Sequence, residues 1–153
     1  MTTRHRKNLV VLRAGDSSLH RQWLAGPTRD FDIFISYYGK TDGQYRGDGE
    51  HWEHRPGPKW SCIADLLDAH APLLERYDAF WFPDDDLAAD TSNLNKMFAL
   101  FHGLDLKLAQ PALTLESYYS WEQLLVRPDC LMRQVAFVEV MAPIFTSSSL
   151  QVC

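Results

Sequence analysis

The stretch YDAFWFPDDDL, Tyr77 to Leu87, is the one from which the fold is read. Ala79-Phe80-Trp81-Phe82 is apolar and aromatic, too short for an independent helix and rich in strand formers, so it reads as a buried strand. Pro83 has no N–H to donate and is expected to end any ladder the strand joins. Asp84, Asp85 and Asp86 follow at once. A strand that runs out into three carboxylates sets mutually repelling charges at a sheet edge and invites a divalent counter-ion. If the extended conformation continues, Asp84 and Asp86 face one side and Asp85 the other. One carboxylate then serves a metal and one a ligand hydroxyl. The plain alternative is a solvated acidic turn before a helix, where aspartate is common.

Further strands lie on either side. Asn8-Leu-Val-Val-Leu12 is a continuous apolar run of the kind buried on both sheet faces. Arg13-Ala14-Gly15 breaks it, and Asp16-Ser17-Ser18 is placed to cap a helix through Leu24. Phe31 to Tyr37 reads as a second strand, closing on Ser36, Tyr37, Tyr38 and Gly39. Gly39 to Pro58 has no apolar periodicity and reads as a long loop, either functional or disordered. From Lys59, apolar residues at spacings of three and four predict an amphipathic helix that Pro72 splits in two. Lys59 at that helix start opposes the helix dipole and wants an anion, a role a phosphate would fill. Asp90 or Ser92 caps a helix over 93–104. Leu108 to Leu113 reads as a short strand kinked by Pro111, and Val135 to Met141 as the last strand. Strands separated by helices predict an α/β domain, a mostly parallel sheet with helices on both faces. In such sheets ligands bind beyond the carboxyl ends of the strands, where Arg13–Asp16, Ser36–Tyr38 and Asp84–Asp86 all fall.

The composition narrows the field. One domain spanning 1–153 is expected at this length. Fifteen Lys+Arg against 20 Asp+Glu give a formal net charge of −5, which argues against a nucleic-acid partner held through phosphates. No run approaches the ~18 apolar residues of a membrane span. The basic start, MTTRHRKN, lacks the apolar core of a secretory signal. Cys62, Cys130 and Cys153 are scattered, with no metal spacing or disulfide framework, and fit a reducing cytoplasm.

The strings NLVVLRAGDSSLH, FDIFISYYG, GPKW, ERYDAFWFPDDDL, LAQPAL and FVEVMAP, in that order, resemble the domain-of-unknown-function 707 family of plants and bacteria. The likeness runs from about Asn8 to Phe145. That family is similar in turn to glycosyltransferases of the A-type fold, which use a nucleotide-diphosphate sugar and a divalent metal. The resemblance makes Asp84-Asp85-Asp86 an Asp-x-Asp motif. Its last Asp would bind Mn²⁺ or Mg²⁺ bridging the diphosphate, and its first would lie near the ribose. Arg13, Ala14, Gly15 and Asp16 match the loop bordering the nucleotide, with Ser36 and Tyr37 at the next strand end. Lys59 matches the lysine of GPKW and would face base or phosphate. Glu139 and Met141 would lie near the sugar and the unknown acceptor. A hard cation taking one or two carboxylates plus phosphate oxygens agrees with this chemistry.

A-type glycosyltransferases usually continue well past the last strand, where a metal-binding His and often the catalytic base reside. Thr146 to Cys153 contains no Asp, Glu or His, so a C-terminally short fold is expected. His51 and His54 of the long loop are possible substitute ligands, although loop histidines are commonly just exposed. Edges left by a missing segment would favour a homo-oligomer. Two rival readings stand beside the transferase. One is a non-catalytic nucleotide-sugar-binding remnant. The other is an Asp-nucleophile phosphatase, against which Leu87-Ala88 stand where such enzymes carry Gly and then Thr or Val.

Overall fold

In a computed structural model that describes residues 6–152, the apolar run after Lys7 becomes β1 (Asn8–Ala14), buried along its whole length. It lies inside a six-stranded sheet of order β3-β2-β1-β4-β6-β5. β2 (Phe31–Tyr37) and β4 (Ala79–Trp81) flank β1 in parallel, Val10 facing Ile33 on one side and Trp81 on the other. β3 (His51–His54) extends the parallel side beyond β2. β6 (Ile144–Thr146) runs antiparallel to β4 and carries the two-residue β5 (Leu108–Ala109) at the far edge.

The period of two along each strand divides the core into two layers. Val10, Leu12, Ala14, Ile33, Ile35 and Trp81 pack with Trp23 of α1 (Arg21–Leu24) and with Leu94, Phe98 and Phe101 of α4 (Thr91–Gly103). Leu9, Val11, Phe34, Phe80 and Phe82 pack on the other face against α2 (Lys59–Ala69) and α3 (Pro72–Arg76), with Leu150 of α5 (Ser147–Leu150) alongside. Helices thus cover both faces of a mostly parallel mixed sheet. Among the described residues no helix is long and apolar enough to cross a membrane.

Chain direction reverses across the sheet at one place. The first crossover leads from β1 outward to β2 and β3. The second returns through α2 and α3 to β4, on β1's other flank. The β1–β4 boundary is therefore a topological switch point, where loops diverge and leave a crevice beyond the strands' carboxyl ends.

Several sequence expectations are corrected. Val135 to Met141 forms no strand, and the antiparallel place beside β4 goes to Ile144–Thr146. Pro83 stops pairing with β1 at Trp81, but not on the opposite side. There Phe82 donates to the Pro143 carbonyl at 3.0 Å and Asp84 to the Met141 carbonyl at 2.7 Å. The extended run ends at Asp84, and Asp85-Asp86 form a turn, so the three carboxylates do not alternate along a strand. Asp16 caps no helix: α1 begins only at Arg21, without a side-chain cap. The Asp16 carboxylate instead accepts from the Tyr37 hydroxyl and the backbone N–H groups of Lys40 and Thr41, and its carbonyl accepts from the Tyr45 hydroxyl. The long loop is thereby pinned to β1. A second tie runs from Ser18 through the buried His20 to Asp48, which Arg21 also holds. Within the stretch read as loop, His51–His54 pairs with β2 as β3.

Candidate functional site

The crevice at the switch point is a cleft of about 290 Å³ lined by Arg13, Tyr38, Gly57, Lys59, Asp84, Asp85 and Asp86. Each lining residue comes from the carboxyl end of a parallel strand or the segment just after it. Arg13 is the penultimate residue of β1 and only 4% exposed. Register sets it beside Ser36 of β2, which is beside Glu53 of β3. Arg13 donates to Ser36 Oγ at 2.7 Å, and Ser36 donates to Glu53 Oε1 at 2.7 Å. A second Arg13 nitrogen donates to the Gly57 carbonyl at 2.9 Å, while its buried Nε has no partner. Among the described residues Arg13 makes no ion pair. Burial lowers the guanidinium's pKa, so its charge is poorly compensated where it stands.

Lys59, the first residue of α2, is the second cation. Its ammonium donates to Asp84 Oδ1 at 2.6 Å and to the carbonyls of Val140 and Met141 at 2.8 and 3.3 Å. Burial acts on it most strongly and lowers its pKa, with Asp84, Asp85 and Asp86 opposing. The anion that the helix start demanded is thus supplied by Asp84.

The three aspartates have separate positions. Asp84 is matched by Lys59. Asp85 Oδ2 accepts from the Gly15 N–H at 2.7 Å, and its carbonyl accepts from Leu19 at 2.7 Å, joining the β1 loop to the β4 turn. Tyr38 lies beside Asp85 in the lining; burial first, then the Asp85 negative charge, raises the phenol's pKa. A Cβ at Gly15 would come within 2.8 Å of the Tyr38 hydroxyl oxygen, so a larger residue there must push that ring aside. Asp86 is exposed and makes no hydrogen bond or ion pair among the described residues.

These partners decide what a divalent cation would find. Among the described residues no three His, Cys, Asp or Glu side chains gather about one point. Asp84 and Asp85 are engaged, so the open carboxylate is Asp86. One carboxylate completed by phosphate oxygens and water is still a set that Mg²⁺ accepts.

Of the residues singled out in the sequence, Arg13, Lys59, Asp84, Asp85 and Asp86 meet in the cleft. Ser36 stands behind Arg13, and Gly15 braces Asp85. Ala14 contributes its carbonyl to the Tyr38 N–H at 2.9 Å. Asp16 and Tyr37 anchor the long loop and do not line the cleft. Met141 enters through its carbonyl alone, whereas Glu139 lies outside the lining, its N–H bonded to Gln110. His51 stacks on Phe34 and His54 reaches the Gly39 carbonyl, so neither joins the aspartates. Tyr38, read in the sequence as part of the Ser36–Tyr38 strand end, also lines the cleft; the lining residue not singled out is Gly57.

No protein-family model, no characterised protein and no solved structure matches the chain.

Proposed function

We propose that this chain binds a nucleotide-diphosphate sugar in the switch-point cleft and transfers the sugar to an acceptor. The observation that carries the reading is the pairing of two cations, Arg13 and Lys59, with an acidic turn at the carboxyl ends of β1 and β4. The six ordered sequence blocks support it as a resemblance. In this reading Arg13 and Lys59 face the phosphates, and Asp85 holds the β1 loop against the β4 turn. Asp86 is the residue that would hold Mn²⁺ or Mg²⁺ together with phosphate oxygens. When bound, such an ion offsets charge growing on the leaving diphosphate. The Met141 backbone borders the ammonium, on the side assigned to sugar and acceptor. Asp84 and Asp85 both have hydrogen-bond partners, which leaves no unengaged inner carboxylate as a base. That favours, as a second reading, a module that binds the nucleotide sugar without turning it over.

Thermal unfolding with UDP, GDP and their sugars, with and without Mn²⁺, tests the site in wild type and Asp86→Asn. A ligand at a hundred times its dissociation constant stabilises the native state by about 2.7 kcal/mol. For domains of this size class that raises the midpoint by roughly 2–4 °C per kcal/mol. The expected result is stabilisation by one nucleotide, a further gain with Mn²⁺, and loss of that gain in Asp86→Asn. No shift with any nucleotide, metal present, overturns the reading. Sugar transfer assays then separate enzyme from binding module.

A further inference from the structure

A lysine at the first position of a helix sits at the positive end of the helix dipole, an unfavourable place for a cation. Lys59 nevertheless turns inward, with its side chain only 18% exposed. An ammonium has three N–H donors. Here all three find oxygen: Asp84 Oδ1, the Val140 carbonyl and the Met141 carbonyl. One carboxylate and two carbonyls are the hard-oxygen environment that a hard metal cation also seeks. The cage is held by backbone pairing, because the Asp84 N–H donates to the same Met141 carbonyl. A divalent ion at this corner would meet a positive charge already in place.

Arg13 adds a second observation. It is buried in the wall of the same cleft, forms no ion pair among the described residues, and keeps one nitrogen unpartnered. Two cations therefore stand in the cleft, Lys59 tethered to Asp84 and Arg13 without an ion pair among the described residues, beside the carboxylates of Asp85 and Asp86.

We propose that Lys59 is the resident cation of the cleft: it holds the Asp84 corner in place of a divalent ion and lets the cleft take up a diphosphate without metal. The inference rests on the reading of this cleft as a diphosphate site. A divalent ion at Asp86 is then an addition to binding, not its condition. The longest of the three Lys59 contacts, to Met141, is the one a phosphate oxygen would replace.

Calorimetric titration of inorganic pyrophosphate, UDP and GDP, in EDTA and separately in Mn²⁺, tests this on wild type, Lys59→Met and Lys59→Arg. Wild type is expected to bind at least one probe in EDTA. Lys59→Met should weaken that metal-free binding by about tenfold or more, as loss of a charged hydrogen-bond partner does. Lys59→Arg should retain it. In Lys59→Met, Mn²⁺ should restore more of the binding than it adds to wild type, because Asp84 has been released. Wild type binding a probe only in Mn²⁺ overturns the inference and leaves the diphosphate site standing. Binding of no probe in either condition overturns both. Should Lys59→Met fail to fold, as judged by its unligated unfolding curve, the wild-type EDTA titration alone decides.

Discussion

Asp32 carries the clearest electrostatic consequence of any single residue. It is 5% exposed on β2, and its carboxylate accepts from Tyr77 at 2.6 Å and from Arg6 at 2.7 Å. Burial acts most strongly and opposes ionisation, but the hydrogen bonds from Tyr77 and Arg6 outweigh it and hold the carboxyl below its usual range. A carboxyl depressed in the folded state adds stability that is complete above its unfolded value of about 3.9. That stability is lost as pH falls through the lower, folded value. Asp16, Asp48 and Glu53 are displaced the same way. The unfolding midpoint should therefore drop on acidification below about pH 4, and Asp32→Asn should flatten part of that slope. At neutral pH the same variant should cost about 1–3 kcal/mol in a denaturant titration. Gly15 makes a different prediction. Alanine there forces the Tyr38 ring aside, and that ring is the movable end of a partly exposed side chain. Stability should change by less than about 1 kcal/mol in a denaturant titration, while on the proposed reading nucleotide binding should weaken as the Tyr38 ring shifts in the cleft wall. Residue types at strand ends were legible in the sequence, since Arg13, Lys59 and the aspartates meet. Their partners were not, because which atom faces which depends on register: nothing local says that Lys59 closes on Asp84, 25 residues away.

Elements were legible where burial is continuous. β1, β2 and β4 are runs buried at every position, and α4 shows an apolar stripe through Leu94, Phe98 and Phe101. The cap of α4 is Asp90, whose side chain accepts from the Asn93 N–H at 2.7 Å. Asp90→Ala should cost about 1 kcal/mol. Its melting midpoint should fall by about 2–4 °C, and Asp90→Ser should recover most of that. β3 and β6 were harder. β3 is polar and only partly buried because it is the edge of the sheet, so it lacks the apolar signal. The string from Val135 to Met141 has strand-forming residues, yet propensity does not supply a neighbour with free N–H and C=O groups. The open side of β4 is taken by the following residues, from Met141 through Thr146.

At the scale of the whole molecule the two flanks of β1 differ. The β2–β3 side is tied by buried side chains and by the Asp16 and Asp48 contacts. The side beyond β4 carries a groove of about 770 Å³ whose walls include Met97, Phe101, Leu106, Leu124, Met132 and Val135. Leu131 of its lining is exposed, as are Leu115, Tyr118 and Val140 in the same part of the sequence, Tyr118 at 93%. Apolar side chains thus line the groove, and others stand exposed elsewhere on the surface. An environment-sensitive apolar dye is therefore expected to fluoresce with the native protein. Met97→Lys, which charges the groove wall, should reduce that signal while leaving the near-ultraviolet circular dichroism intact. Absence of dye fluorescence in native buffer would show the groove closed in solution. The same surface gives self-association its opportunity, and sedimentation at rising concentration measures it.

The place of β6 has one further consequence, for the chain as it leaves the ribosome. Synthesis proceeds from the N-terminus and early segments begin to fold as they emerge. β4 is complete at Trp81, but the strand that covers its second edge is not made until Thr146. β5 is made earlier and can only wait, because its neighbour in the sheet is β6 and not β4. For the whole interval between them, a nascent chain displays the aromatic edge of Ala79-Phe80-Trp81 without a partner, the kind of open edge that recruits other chains. Among the described residues, the strand that covers the open edge of β4 is made after every strand it joins.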